Sequence, residues 1–332
     1  MRSLTLTLCL FGVLASAGCA STATTDNAVA AEPASEPDSA FVRDSDLIYS
    51  KQGGFALTLD RIAPSENANG AGVVMVVSGG WFSSHEQTQA PAGQLPEFFQ
   101  ANAAELLSRG YTLFYVVHGS QPKFTIREID TQLSAAVQHV RYHAADFGID
   151  PDRIGIMGGS AGGHLSLMRG TTGVDGGAAP AAPTETGSRV QAVVAYFPPT
   201  DFLNYGNEGV FFDTVVREVI PEGRNPFLQA TDYWEFDPVE IRLNKVTDAD
   251  RLTEHYQKIS PYNHVSADDA PTLLLHGNVD RLVPLQQSEL IARRFAQEGV
   301  AHSLYVKDGG DHGWEITAEE AAMVADWFDQ HL

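Results

Sequence analysis

The chain has 332 residues, enough for one large α/β domain, and 43% of them are hydrophobic, which is ample for a core. It carries 42 acidic and 21 basic residues, giving a formal net charge of -21. Because such a surface repels phosphate backbones and anionic lipid head groups, nucleic acid is excluded as an expected partner.

The N-terminal residues have the pattern of an export signal. Arg2 supplies a positive charge, and the apolar run from Leu4 to Leu14 is too short to span a bilayer as a helix. Small residues follow up to Cys19, which is similar to a bacterial lipobox, although Ser16 stands where that pattern prefers leucine. We expect cleavage before Cys19 and its lipidation. Ordinary cleavage nearby is the alternative, which would release a soluble periplasmic or extracellular protein.

Composition divides the chain into three parts. Residues 1–19 are the predicted signal peptide, residues 20–40 contain no Lys, Arg or aromatic residue and are predicted to be a flexible tether, and residues 41–332 form the globular domain. The only cysteines, Cys9 and Cys19, precede that domain. A catalytic cysteine and a cysteine-ligated zinc are therefore excluded, and we expect a membrane-anchored lipoprotein whose domain is stabilised by its core alone.

Strands and helices are predicted to alternate along the globular domain. Continuous apolar runs and apolar–polar alternation indicate strands, and amphipathic periodicity indicates helices. This alternation predicts a mainly parallel sheet with helices on both faces. The predicted strands are residues 55–62, 73–77, 111–117, 153–157, 190–197, 272–275 and 302–306. The predicted helices are residues 97–109, 126–147, 161–169, 285–298 and 317–330.

Residues 198–263 interrupt the alternation. The segment is rich in aromatic residues, proline and glycine, and we interpret it as a cap-like insertion over the ends of the strands. We expect most of its aromatic side chains to pack the insertion onto the sheet and a minority to line a pocket. They include Phe202, Tyr205, Phe211, Phe212, Phe227, Tyr233, Trp234, Phe236 and Tyr256.

A nucleophile elbow is predicted near the middle of the chain. Residues 158–162 (GGSAG) fit the G-x-S-x-G pattern, with a predicted strand before them and a predicted helix after them. An attacking serine must project from a sharp strand-to-helix turn, where only glycine fits the flanking positions without a Cβ clash. The pattern therefore predicts Ser160 as the nucleophile, flanked by Gly158 and Gly162.

The serine needs a base, because a hydroxyl is a poor nucleophile while it keeps its proton. His312 lies in the loop after the last predicted strand, which brings it to the same sheet edge as Ser160. The base in turn needs an anionic group to fix its tautomer, and Asp280 follows the preceding predicted strand. Asp308 and Asp311 are alternatives for the acid, but they flank the histidine too closely in sequence to reach its far nitrogen easily.

Other histidines occupy positions that suggest alternative roles. His139 and His143 are four residues apart on one predicted helix, a spacing that suits a metal, but no third ligand is nearby and a solvated helix face is expected. His164 follows Ser160 by one turn and is expected to pack. His276 ends a predicted strand and serves as the base only if His312 does not.

An oxyanion hole is needed for the charge that develops on a carbonyl oxygen. One donor is expected to be the backbone amide of Ala161, the residue after the nucleophile. Further donors are expected from Gly79, Gly80 and Trp81, at the end of the predicted strand 73–77, because the two glycines leave the backbone bare.

These segments resemble the esterase/lipase branch of the α/β-hydrolases, especially its feruloyl-esterase-like and acetylxylan-esterase-like members. The resemblance spans about residues 45–331 and rests on residues 158–164 (GGSAGGH), 271–277 (PTLLLHG) and 311–313 (DHG). It implies the α/β-hydrolase fold, and Ser160, Asp280 and His312 occur in the chain order that this fold requires.

One departure from the family pattern concerns the oxyanion hole. The family usually carries His-Gly-Gly-Gly, and here Val77 and Ser78 replace the histidine and the first glycine. Gly79 and Gly80 remain as the expected amide donors.

The resemblance implies a hydrolase that cleaves carboxylic esters, small ones or acylated sugars, without a metal or an organic cofactor. Two alternatives stay open: an exported peptidase of the prolyl-oligopeptidase type, and a non-catalytic binding protein on a hydrolase scaffold. Fold-level kinship does not decide the substrate, and the sequence makes no prediction of oligomeric state.

Overall fold

A mainly parallel sheet forms the centre of the protein in the computed structural model, which describes residues 40–91, 94–97, 99–177, 181–219 and 228–332. Its strands are β1 (Phe41–Gln52), β2 (Phe55–Pro64), β3 (Gly72–Val77), β4 (Thr112–Val117), β5 (Ile154–Gly159), β6 (Ala192–Tyr196), β9 (Thr272–Gly277) and β10 (His302–Lys307), while β7 (Trp234–Asp237) and β8 (Arg242–Lys245) form a separate hairpin. The order across the sheet is β1-β2-β4-β3-β5-β6-β9-β10. Six neighbouring strands of this sheet are parallel: β4, β3, β5, β6, β9 and β10. Strand β2 pairs antiparallel with both β4 and the edge strand β1.

Helices cover both faces of the sheet. Two of them begin with a capping box, Thr125 with Glu128 and Thr317 with Glu320, which satisfies amides that the first turn leaves unpaired. The helices are α1 (Gln100–Ser108), α2 (Ile126–Tyr142), α3 (Ala144–Phe147), α4 (Ala161–Thr172), α5 (Phe212–Val219), α6 (Leu228–Thr231), α7 (Ala249–Ile259), α8 (Gln286–Glu298) and α9 (Ala318–His331).

The core consists of two layers, one on each face of the sheet. Alternate residues of β3 show this division: Val74 and Val76 pack into the layer that contains α2 and α8, whereas Val73 and Met75 pack into the layer that contains α1 and α9. All four are fully buried. A strand buried on both faces has no polar side, which is why it reads in sequence as a continuous apolar run.

The predicted α/β architecture is confirmed, with two local differences. The edge strand β1 has no predicted counterpart, because two register shifts against β2 and its run of charged residues break the alternation of apolar and polar positions. The helix predicted at 126–147 is interrupted at His143, whose backbone (φ -96°, ψ 17°) ends α2 and starts α3.

The insertion 198–263 contains α5, α6, α7 and the β7–β8 hairpin in its described part. Its aromatic residues mostly pack inward, as expected. Phe202, Tyr205, Phe212 and Tyr256 belong to the buried core layer beside α2, whereas Trp234 is exposed. Phe227 and the side chain of Phe236 lie outside the described residues.

The described residues between Ala40 and Leu332 belong to one compact unit. The predicted signal peptide and nearly all of the predicted tether, including Cys9 and Cys19, lie outside the described residues. Within the described ranges, no helix combines the length and the apolar character needed to cross a membrane.

Several histidines are buried in the protein without a carboxylate hydrogen-bond partner, among them His118 and His164. His118 and His164 are 2% and 0% exposed. Burial lowers the pKa of each to about 4, although each ring also contacts a backbone carbonyl, at Gly119 and Ile259 respectively. Both imidazoles are therefore neutral in the folded protein near pH 7.

Folding stability is expected to fall with acidification between the two pKa values of these histidines. The unfolded chain binds their protons near pH 6.5 and the folded protein only near pH 4, so stability is full above about 6.5 and decreases toward about 4. Urea unfolding midpoints compared at about pH 7 and about pH 4.5 test this. A His118→Gln variant should lose less over the same interval. Equal wild-type midpoints at both pH values would contradict the prediction.

Candidate active site

Ser160 lies in the turn between β5 and α4, at the C-terminal edge of the parallel strands. Its backbone (φ 54°, ψ -119°) has the positive φ that most L-residues avoid. The amide of Ser160 donates to the carbonyl of Tyr196 at 2.9 Å, and its carbonyl accepts from the amide of His164 at 2.9 Å. These two bonds hold the strained serine between β6 and the first turn of α4.

The flanking glycines are required by close backbone contacts. A Cβ on Gly158 would lie 2.6 Å from the carbonyl carbon of Gly162, and a Cβ on Gly162 would lie 2.8 Å from the carbonyl oxygen of Val76. Backbone atoms cannot yield at such distances without moving the turn. The elbow therefore brings α4 directly against the ends of β3 and β5.

The structure brings together the three side chains expected to form the catalytic group. His312 Nε2 lies 2.9 Å from Ser160 Oγ, and His312 Nδ1 lies 2.8 Å from Asp280 Oδ2. In the resting arrangement the Ser160 hydroxyl donates to Nε2, and Nδ1–H donates to the carboxylate. The imidazole is thus oriented on one side and ready to take a proton on the other.

The side chain of Asp280 is fully buried but surrounded by donors. Its Oδ1 accepts from the amides of Leu282 and Val283, both at 2.9 Å, and its Oδ2 lies 3.4 Å from His276 Nε2. Burial by itself raises the pKa of Asp280, but the hydrogen bonds from His276 and His312 outweigh it and hold that pKa well below its ordinary value. The carboxylate therefore stays ionised near neutral pH.

His276 is not a base for Ser160; it supports the acid. Its Nε2–H donates to the carbonyl of Val283 at 2.8 Å, and its Nδ1 accepts from the Ser288 hydroxyl at 2.7 Å. The sequence predicts His276 only as an alternative to His312 as the base for Ser160. The signal available in sequence was its position four residues before Asp280, at the end of the preceding strand.

The loops carrying Asp280 and His312 are joined to each other. A Cβ on Gly277 would lie 2.2 Å from the carbonyl oxygen of Gly310, so the two loops touch through bare backbone. Arg281 pairs with Asp311, which bridges the loops on their exposed side. This pairing removes Asp311 as a rival orienting acid. Asp308 likewise accepts from Asn278 at 2.8 Å, away from the imidazole.

The turn Ser78–Phe82 is called here the oxyanion turn. One of the oxyanion donors expected in it, the amide of Gly79, is already used in a hydrogen bond. The amide of Gly79 donates to the carbonyl of Phe82 at 2.9 Å and is not free, because the two residues form a β-bridge that closes the turn. The amides of Gly80, Trp81 and Ala161 have no acceptor among the described residues. These three amides fit the requirement for oxyanion donors, and Gly79 does not.

His139 and His143 lie close together, and no third His, Cys, Asp or Glu forms a ligand-sized cluster with them among the residues that the structure describes. Their rings lie 4.6 Å apart between centroids, and His143 pairs with Asp146 on the helix surface. The described residues bring three possible ligands close together at Asp46, Asp60 and His85. Asp60 already accepts from Arg43 and from the amide of Asp46.

Aromatic side chains outside the insertion border His312, and the sequence does not predict them. The ring of Phe197 lies 4.7 Å from that of His312, edge to face, and 5.4 Å from that of Trp314. Trp314 is fixed by its indole N–H, which donates to Glu320 at 3.2 Å. Phe197 and Trp314 form an apolar wall beside His312. The only sequence signals for it are that Phe197 follows β6 and that Trp314 lies two residues after His312.

We expect Gly158→Ala to destabilise the protein and lower its activity, because the added Cβ meets the backbone of Gly162 at 2.6 Å and displaces the elbow. Thermal denaturation should show a melting temperature lowered by several degrees. Gly177→Ala is the matched control, since a Cβ there lies no closer than 3.7 Å to any other residue that the structure describes. Equal melting temperatures for the two variants would contradict this interpretation.

The sequence is similar to those of two esterases of Mycobacterium tuberculosis. The sequence is 28% identical over 252 residues to the probable carboxylic ester hydrolase LipM of Mycobacterium tuberculosis, covering 75% of this chain and 50% of LipM. It is 25% identical over 225 residues to the esterase LipQ of the same organism, covering 67% and 48%. The chain thus spans about half the length of the curated relatives it matches.

Solved structures share the fold. A truncated carbohydrate esterase from gut microbiota superimposes with a TM-score of 0.67 at 24% identity, covering 89% of this chain and 98% of the other. An acetyl ester-xyloside bifunctional hydrolase from Caldicellulosiruptor lactoaceticus gives 0.63 at 21% identity, covering 86% and 96%. The BD-FAE family matches residues 59–295. Because this match covers more than half of the chain, the protein belongs to the BD-FAE family and has the α/β-hydrolase fold.

Proposed function

We propose that this protein is a serine hydrolase that cleaves carboxylic esters through an acyl-enzyme. The observation that carries the proposal is the hydrogen-bonded line from Ser160 through His312 to Asp280, at 2.9 and 2.8 Å. The names of the relatives LipM and LipQ, a carboxylic ester hydrolase and an esterase, support the same activity.

Acylation begins with proton transfer. His312 Nε2 removes the proton from the Ser160 hydroxyl as Oγ attacks the ester carbonyl carbon. Asp280 stabilises the imidazolium that forms, because its depressed pKa keeps it negative throughout this step. It does not take the proton itself.

The tetrahedral intermediate carries its negative charge on the former carbonyl oxygen. The free amides of Ala161, Gly80 and Trp81 supply donors for that charge. Ala161 is also the first residue of α4, and the helix N-terminus adds favourable potential for an anion.

Collapse of the intermediate expels the alcohol, which takes the proton from His312 Nε2. Water then attacks the acyl-enzyme with the same imidazole as base, and the acid leaves as Ser160 regains its proton. Each bond made and broken in the cycle is accounted for by protein groups, ester and water.

For the substrate class, we propose a small ester or an acylated saccharide. The carbohydrate-esterase names of the structural relatives support the saccharide. The wall formed by Phe197 and Trp314 gives the site an apolar side that suits an acyl group or the face of a sugar ring. A panel of acetyl, feruloyl and longer acyl esters on the purified protein separates these substrates.

A fluorophosphonate probe should label the wild type covalently and should not label Ser160→Ala, because only an activated serine attacks phosphorus in such probes. Asp280→Asn should lower kcat for short-chain p-nitrophenyl esters by about 10³- to 10⁴-fold, since the amide favours the wrong tautomer of His312. Equal labelling of wild type and Ser160→Ala would remove the serine from the mechanism.

The same preparation distinguishes an esterase from a peptidase and from a binding protein. Hydrolysis of p-nitrophenyl esters without hydrolysis of dipeptide anilides is the expected result. The reverse preference would indicate a peptidase, and a folded protein without turnover on any ester would favour a binding function.

We also propose export with lipidation at Cys19, supported by Arg2, the apolar run Leu4–Leu14 and the small residues before the cysteine. Cells that express the full chain should incorporate radiolabelled palmitate into the wild type and not into Cys19→Ala. A mature N-terminus at residue 18 or 21, with no label, would show ordinary signal-peptide cleavage instead.

A further inference from the structure

The backbone of Trp81 is strained and needs support from outside its own turn. Its φ of 61° lies in the left-handed region that bulky L-residues rarely adopt, and it follows Gly80 at 57°. This geometry is what leaves the amides of Gly80 and Trp81 without an acceptor in the described structure. Gln121 supports the backbone of the turn, because its side chain donates to the carbonyl of Gly80 at 2.6 Å and its amide donates to the carbonyl of Trp81 at 3.3 Å. Contacts of the indole ring add a further support from outside the turn.

His164 supplies the polar contact to the indole. Trp81 is 2% exposed, and its Nε1–H donates to His164 Nδ1 at 3.2 Å. His164 Nε2 lies 2.7 Å from the carbonyl oxygen of Ile259. Because a carbonyl only accepts, Nε2 carries the ring proton and Nδ1 is the bare acceptor. Both nitrogens are used, and the two partners fix one neutral tautomer.

His164 belongs to the same helical turn as the nucleophile. Its amide donates to the carbonyl of Ser160 at 2.9 Å, and Ala161 lies in that turn as well. One turn of α4 therefore carries the attacking hydroxyl, one free amide and the side chain that holds Trp81. The free amides come from two segments, Ala161 on α4 and Gly80 with Trp81 on the oxyanion turn. The bond from Trp81 to His164 links these two segments.

The insertion completes the support. Ile259 is the last residue of α7, so the bond that fixes the His164 tautomer comes from the insertion. Phe202, also from the insertion, packs against both rings, 5.9 Å from Trp81 and 5.2 Å from His164 between centroids. Phe212 lies edge to face with Trp81 at 5.9 Å.

We propose that His164 is a positioning residue for ester hydrolysis: it holds Trp81 so that the amide of that residue faces the developing oxyanion. Through Ile259, His164 also makes the oxyanion turn depend on the insertion. The proposal rests on the function proposed above. It gives the insertion a role in transition-state stabilisation in addition to covering the strand ends.

His164→Leu and Trp81→Phe test the proposal: the first removes the acceptor, and the second removes the indole N–H together with the five-membered ring that carries it. Each should lower kcat by about 10- to 100-fold while KM changes by less than about 3-fold, because the affected donor acts mainly on the transition state. Binding of a trifluoromethyl ketone, which mimics the tetrahedral intermediate, should weaken by the same factor as kcat. The double variant should lose no more than the larger single loss.

His255→Leu is the matched control. His255 is also buried, and its Nε2 also bonds a backbone carbonyl, that of Thr231 at 3.0 Å, but it has no ring contact or hydrogen bond to Trp81. It should keep the wild-type kcat. An equal kcat loss in His255→Leu, or additive losses in the double variant, would overturn the proposal.

If His164→Leu does not fold, Trp81→Phe alone tests the proposal. A wild-type kcat in Trp81→Phe would overturn it. A wild type that hydrolyses no ester and is not labelled at Ser160 by a fluorophosphonate would instead refute the proposed function. Wild-type turnover combined with unchanged kcat in His164→Leu would refute only the role of His164.

Discussion

The buried carboxylate of Asp280 is the feature on which the rest of the site depends. An ionised group without solvent is costly unless donors surround it, and here the amides of Leu282 and Val283 and the imidazoles of His276 and His312 do so. The same donors shape the loop after β9 and fix the tautomer of His312. The fold must supply hydrogen-bond donors to the Asp280 carboxylate, and this carboxylate in turn orients His312.

The parallel sheet makes this arrangement possible. Parallel strands end at one edge, so the loops after β3, β5, β9 and β10 meet there although they are far apart in sequence. Bare glycine backbone at Gly277 and Gly310 lets two of these loops touch, and glycines at 158 and 162 let α4 approach the strand ends. The insertion then packs its aromatic residues onto the same layer, around Trp81.

Sequence reasoning succeeded where local pattern and chain order carry the information. The strands buried on both faces read as apolar runs, and the nucleophile elbow has a short signature that its glycine contacts explain. The prediction that Gly79 is an oxyanion donor was wrong, because its amide donates to the carbonyl of Phe82. A pair of glycines predicts a turn with bare backbone but does not show which amides pair across it. Sequence reasoning also missed β1, whose bulges hide the strand period.

The amino-acid sequence by itself determined the α/β fold class and the identity of Ser160, Asp280 and His312 as the residues to bring together, because strand periodicity, the elbow motif and the order of loops are local or sequential properties. Only the tertiary structure decided which amides remain free, that His276 supports Asp280, that His164 links Trp81 to Ile259, and that Phe197 borders His312. Each of these depends on hydrogen-bond distances and ring contacts between segments separated along the chain, and such distances are set when the sheet, the helices and the insertion pack together.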